Sequence, residues 1–150
     1  MMQCRVSQKT LAVIPIGIKK SKIIERNRNY EVMESSLIVI EESCEHYGSS
    51  YKSRIRTTIN AIGCKYKSPI IIDEYRRIIF FPLTSPTRGN TIWVNYNNII
   101  KYEPSKRRNH TLIRFISGIK LEFNISYYSF NQQYLKSSKL NSAMDRILRK

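Results

Sequence analysis

A chain of 150 residues with 41% hydrophobic content is long enough to bury a core without staples, which excludes a disordered basic tail. Its formal net charge of +15 makes polyanions the preferred partners but names only their sign. The longest apolar runs, IIFF at Ile78–Phe81 and PIII at Pro69–Ile72, are too short to span a bilayer. The opening MMQCRVSQKTLAVIPIG lacks the long apolar region and small-residue cleavage site of a secretory signal. A cytoplasmic protein with no membrane partner is expected.

The charge is unevenly placed. Met1 to Glu45 carries seven Lys/Arg against six Asp/Glu, His46 to His110 twelve against three, and Thr111 to Lys150 seven against two. The positive field therefore belongs to the last two thirds of the chain. Cys4, Cys44 and Cys64 follow no framework spacing, which suits buried thiols in a reducing compartment better than a disulfide scaffold. A zinc site from Cys44, His46, Cys64 and His110 has no CxxC pair behind it, so neither metal nor cofactor is expected.

In chain order, strand signals come first. Leu11–Ile16 is apolar, Lys22–Arg26 and Tyr30–Met33 alternate around ERNRN as a hairpin, and Ser36–Ile40 is a β-branched run that reads as a strand. Tyr51, Ile55, Ile59 and Ile62 then fall on one helical face, with Ser49 or Ser50 as the cap and Gly63 as the stop. Strands return at Ile70–Asp73 and Arg77–Phe81, separated by EYR, and Leu83–Asn90 is dense in turn formers. Ile92–Val94 and Ile99–Tyr102 precede the basic loop PSKRRN, and Leu112–Ile116 joins Ile119–Ile125 through Ser117-Gly118. From Tyr127 onward, Phe130, Tyr134, Leu135, Leu140, Met144, Ile147 and Leu148 fit one or two amphipathic helices. The expected fold is α+β: one mostly antiparallel β domain over residues 1–150, with one inserted helix and a helical C-terminal segment.

Catalysis finds little support. His46 and His110 lie in no nucleophile or metal motif. Asp73-Glu74 would be half of a nuclease metal site, but two-metal chemistry needs several converging carboxylates, and solvated turn residues are the better reading. No enzyme is expected. YGSSYKSR lacks P-loop spacing, yet its small residues run into a helix start whose free N–H groups favour an anion; a simple N-cap explains it equally well. The remaining basic clusters, Lys65/Lys67, Arg76/Arg77, Arg88 and Lys106/Arg107/Arg108, all fall at expected turns, where side chains reach a nucleic-acid backbone. Asn90, Asn95, Asn97 and Asn98 are candidates for base edges or for turns. Tyr47, Tyr51, Tyr66 and Tyr75 interleave with Lys and Arg as single-strand stacking would require, although core positions suit most tyrosines, and Trp93 reads as core.

Four segments, CEHYGSSYKSR, KYKSPIII, FFPLTSPTRGNTIWV and TLIRFISGIKLEFNISYYSFNQQ, stand in this order and spacing. Together they resemble the ComK family of competence transcription factors, from about Leu11 to about Leu140. The resemblance implies an activator of DNA-uptake genes that binds paired AT-rich boxes of double-stranded DNA, chiefly through the minor groove, as dimers that assemble into tetramers. Narrow A-tract grooves draw in Arg and Lys, so the basic composition suits that mode. RNA polymerase is a further partner an activator would meet. Some family members continue with a C-terminal segment tied to adaptor-mediated proteolysis. This sequence stops at Arg149-Lys150, which counts against an adaptor as partner. The matched positions Tyr47, Gly48, Ser49, Ser50, Tyr51 and Arg54, with Ser85, Pro86 and Arg88, are the first candidates for DNA contact. Gly48–Ser50 are expected at phosphates and Arg54 or Arg88 in the groove. Lys52, Arg56, Lys65, Lys67, Arg76, Arg77, Asn90, Lys106, Arg107 and Arg108 complete the candidate surface. The alternative is a non-specific single-stranded nucleic-acid binder.

Overall fold

The computed structural model describes residues 5–88 and 90–148, apart from the side chains of Arg88 and Leu148; Cys4 lies outside the described residues. The elements in order are β1 (Thr10–Gly17), β2 (Lys20–Glu25), β3 (Asn29–Val32), α1 (Ser36–His46), α2 (Tyr51–Ile62), β4 (Ile70–Asp73) and β5 (Ile78–Pro82). They continue with β6 (Trp93–Asn95), β7 (Ile99–Pro104), β8 (Thr111–Phe115), β9 (Lys120–Phe123) and α3 (Tyr127–Leu148), with short 3-10 turns at Pro86–Arg88, Tyr96–Asn98 and Ile116–Gly118.

Two sheets form, both antiparallel throughout: a six-stranded sheet in the order β3-β2-β1-β6-β5-β4 and a three-stranded sheet in the order β7-β8-β9. The larger sheet is covered on both faces, which is why β4 and β5 are buried at every residue and, apart from Asp73 at the end of β4, read as apolar runs. Val13, Ile23, Ile70, Ile72, Ile78, Phe80 and Trp93 face α1 and α2. On the opposite face, Ala12, Ile24, Phe81 and Val94 meet Ile113, Phe115 and Phe123 of the small sheet and Phe130 of α3. Ile71 and Ile79 meet Leu140 and Met144 further along α3. Phe80, Phe81 and Trp93 are fully enclosed; burying a side chain of phenylalanine size stabilises by about 2–3 kcal/mol. Gln133 pins α3 to the sheet edge, donating to Pro82 O at 2.8 Å and Lys67 O at 2.9 Å.

The sequence expectations hold for most elements. Ser50 caps α2 by accepting from Ser53 N at 3.1 Å, and Gly63 ends it in the left-handed region at φ 71°. Ser117 and Gly118, at φ 75° and 82°, lie in the three-residue turn Ile116–Gly118 between β8 and β9. The C-terminal segment is one helix of 22 residues.

One expectation is corrected. Ser36–Ile40 is the start of helix α1, so the chain has two inserted helices rather than one. Ser35 caps α1, accepting from Ile38 N at 3.3 Å. Its buried face is Ser36, Val39, Ile40, Ser43 and Cys44, a helical spacing in which serines hold two positions. Counting apolar residues alone hides that period. Tertiary burial then outweighs the modest strand preference of a β-branched run. Ser43 serves inside the core because its hydroxyl donates to Val39 O at 2.6 Å and accepts from Val6 N at 2.9 Å. Among the described residues no helix is long and apolar enough to cross a membrane.

Candidate nucleic-acid interface

α1 and α2 are joined by the turn that the sequence singled out. Tyr47 is the C-cap of α1, Gly48 takes φ 91° with open space where a Cβ would stand, and Ser49 N donates to Cys44 O at 3.0 Å. Gly48 is needed for its backbone conformation. Ser50 is committed as the cap of α2, its hydroxyl accepting from Ser53 N. The two tyrosines flanking the turn are anchored inward. Tyr47 donates to Val6 O at 3.2 Å, and Tyr51 stands edge-on to Trp93, its phenol pushed up to about 12 by burial. Neither ring is free to stack on a base; Tyr66 and Tyr75, at 83% and 89% exposure, are.

Along α2, Lys52 and Arg56 are exposed, whereas Arg54 is turned into the protein. Its guanidinium donates to Glu74 Oε1 at 2.6 Å, and its Nε is buried without a hydrogen-bond partner among the described residues. Arg54 is thus engaged with Glu74, whereas the sequence expectation put Arg54 or Arg88 in a groove. The opposite charge on the β4–β5 turn holds Arg54. Asp73 and Glu74 are also explained: Glu74 receives Arg54 and Asp73 receives Arg76 at 2.7 Å. Asp73, Glu74 and their arginine partners are locked to one another, and no carboxylates converge there.

The same pairs draw the β4–β5 turn up to the α1–α2 turn. Arg76 lies 5.5 Å above the Tyr47 ring, and its pKa is raised by the hydrogen bond and charge of Asp73. Arg77 sits at φ 55°, a conformation that is costly for a side-chain-bearing residue, and its guanidinium donates to Asn141 O and to the Asp145 carboxylate. Beside these arginines lies a cleft of about 350 Å³ lined by Gln8, Lys9, Arg26, Arg76, Arg77, Asn97 and Asn98, with no carboxylate in its wall. Arg26 donates to Asn98 Oδ1 at 2.8 Å, and Asn98 in turn to Gln8 O at 2.8 Å. Gln8 donates to Arg76 O at 3.1 Å. Asn98 thus holds the Arg26 guanidinium and Gln8 the Arg76 backbone, while Lys9 and Arg26 form no ion pair among the described residues. Such a cleft can receive a phosphate oxygen from several directions.

The family model described as ComK protein matches residues 2–148. The chain belongs to the ComK family. It is 32% identical over 146 residues to the protein named competence transcription factor of Bacillus subtilis (strain 168), covering 95% of this chain and 76% of that protein. No solved structure matches.

In this ComK-family chain Asn95 also lines the cleft, and the remaining candidate residues lie apart from it or outside the described side chains. Lys65 is exposed and Lys67 adopts φ 47° in the α2–β4 connection. Lys106, Arg107 and Arg108 are exposed between β7 and β8, with Arg107 paired to Glu122 at 3.2 Å. Asn90 is exposed, Asn95 is buried and donates to Thr10 O at 2.8 Å, and Arg88's side chain lies outside the described residues. Cys44 is buried in the α1 core, its thiol pushed up to about 12, while Cys64 contacts Tyr66 O. His46 approaches Arg5, and His110 bonds Arg108 O, so these residues occupy separate surroundings. Among the described residues no group of three potential ligands forms a metal site. Sequence reasoning missed Lys9 and Arg26. The signal was the strand pairing itself, because Thr10 opposes Glu25 and Arg26 N donates to Lys9 O at 3.0 Å, which brings the two cations together.

Proposed function

We propose that this protein is a competence transcription factor that binds double-stranded DNA selectively at paired AT-rich boxes, mainly through the minor groove, and acts as a dimer or higher oligomer without catalysis. The observation that carries this reading is the identity over 146 residues to a protein named competence transcription factor. The geometry supports it. The α1–α2 turn, the β4–β5 turn and the cleft of Lys9, Arg26, Arg76 and Arg77 form one exposed surface rich in arginine and amides. Positioned guanidinium groups, that of Arg26 held by Asn98, suit phosphates bordering a narrow groove, whose negative potential is strongest at A-tracts. Two linked copies would read two boxes, with an avidity beyond that of a single contact. RNA polymerase is the partner such an activator would contact.

The test is a salt titration of affinity for two duplexes of equal length, one with paired AT-rich boxes and one GC-rich. The reading requires at least roughly a hundredfold preference for the AT-rich duplex at physiological salt, with both affinities falling steeply as salt rises. Coincident curves would leave only a basic surface. A mixed single strand added as competitor decides against the single-strand alternative if it fails to displace the AT-rich duplex.

A further inference from the structure

The outer face of the three-stranded sheet carries an arrangement that folding alone disfavours. Strand pairing sets Lys101 opposite Arg114 and Arg114 opposite Lys120, so three cations stand in one row across β7, β8 and β9. All three are exposed, while their neighbours Tyr102, Ile113 and Leu121 face the core, so the row projects to one side. Like charges directly opposed across strands destabilise a sheet. The next row on the same face holds Glu103, Leu112 and Glu122. Glu122 is turned away to Ser105 and Arg107, and none of Lys101, Arg114 or Lys120 forms an ion pair among the described residues. A shallow depression lies among Lys101, Arg114 and Lys120, walled by Tyr102, Glu103 and Leu112.

We infer that this row is a second phosphate-binding surface, taking the sugar-phosphate backbone of duplex DNA, separate from the arginine and amide cleft. The inference rests on the DNA-binding reading above. Adjacent strands lie about 4.8 Å apart, so the row spans about 10 Å. That length covers about three phosphates of one strand, at about 3.4 Å of helix axis each. A row of three cations without an ion pair among the described residues is complementary to that one occupant, and the polyanion removes the repulsion that the free sheet retains. The row contacts phosphates only, so it adds affinity and salt dependence without adding sequence preference.

The experiment uses the full chain with Lys101→Gln, Arg114→Gln and Lys120→Gln combined, titrated with salt on the AT-rich and GC-rich duplexes and melted without DNA. The slope of log affinity against log salt should fall by about 2–3 on both duplexes, since each phosphate contact contributes about 0.9. Affinity at physiological salt should drop more than tenfold, with the ratio between duplexes unchanged. Relief of the repulsion should leave the melting temperature of the free protein equal or raised by about 2–4 °C. Lys101→Arg, Arg114→Lys and Lys120→Arg together should keep the native slope. An unchanged slope in the glutamine variant overturns the inference whatever the melting temperature does. Equal affinity of the native chain for the two duplexes sinks the AT-selective reading alone, because the slope change still reports the row.

Discussion

Helices α1 and α2 are neighbours of almost equal length, 11 and 12 residues, each opened by a serine cap and separated by only four residues. They serve opposite ends. α1 buries five residues against the sheet and carries Glu41, Glu42 and Glu45 on its remaining surface. There, burial and the neighbouring Glu34, Glu45 and Glu41 hold the Glu42 carboxyl above its usual range. α2 buries only Thr58 completely and displays Lys52 and Arg56 to solvent. One helix is a wall of the core, and the other is an outward support for charge. The difference teaches that neither helix type nor position in the chain identifies a binding element. What separates the two is the fraction of surface each gives up to packing.

Three experiments would break or sharpen that contrast. The largest effect should come from Ile40→Ala in α1, which removes a fully buried side chain and should cost about 3 kcal/mol in urea unfolding. By contrast, Lys52→Gln with Arg56→Gln in α2 should shift stability by less than about 0.5 kcal/mol and lower the salt slope of DNA binding by about 2 if both touch phosphates. A large stability loss in the α2 variant, or none in Ile40→Ala, would erase the distinction. Next comes Arg54, the residue of α2 that behaves like a residue of α1. Its side chain is 11% exposed and Glu74's 30%, so Arg54→Ala strands a half-buried carboxylate and should cost about 2 kcal/mol. DNA affinity per folded molecule should stay within about threefold of native, an energy change well under 1 kcal/mol. A loss of affinity with stability intact would instead return Arg54 to the interface.

A pH dependence of similar size comes from Cys44. Its thiol is pushed from 9.0 to about 12 by burial, so the folded state keeps a proton that the unfolded state releases. Stability is therefore complete below pH 9 and falls as pH rises toward about 12, by about 2 kcal/mol at pH 10.5. Urea midpoints at pH 8 and 10.5, compared between the native chain and Cys44→Ala, measure it. The alanine variant should be less stable at pH 8 but lose less on going to pH 10.5. An equal loss in both would assign the alkaline sensitivity to other groups, Tyr51 among them.

Ser50, Gly63 and the Tyr51–Ile55–Ile59–Ile62 stripe were enough to place α2, because a cap, a stop and a period of 3.6 act within one element. Ser117-Gly118 placed the β8–β9 turn for the same reason. α1 escaped because Ser36 and Ser43 occupy core positions, and nothing local reveals that their hydroxyls find Thr91 O and Val39 O. The candidate surface was legible only as a set of cations. Which are free was decided by partners distant in sequence: Glu74 for Arg54, Asp145 for Arg77 and the ring of Tyr47 for Arg76.

By itself the amino-acid sequence determined the sign of the partner, the family, α2, the C-terminal helix and most of the strands with their turns. These depend on composition and on residues within about four positions of one another. The tertiary structure alone decided that α1 is a helix, that Arg54 is held inside, that Lys9 and Arg26 meet Arg76 in one cleft, and that Lys101, Arg114 and Lys120 align. Each of these is a matter of register or packing between segments far apart in the chain. Burial and charge pairing act there through space, and no local pattern records them.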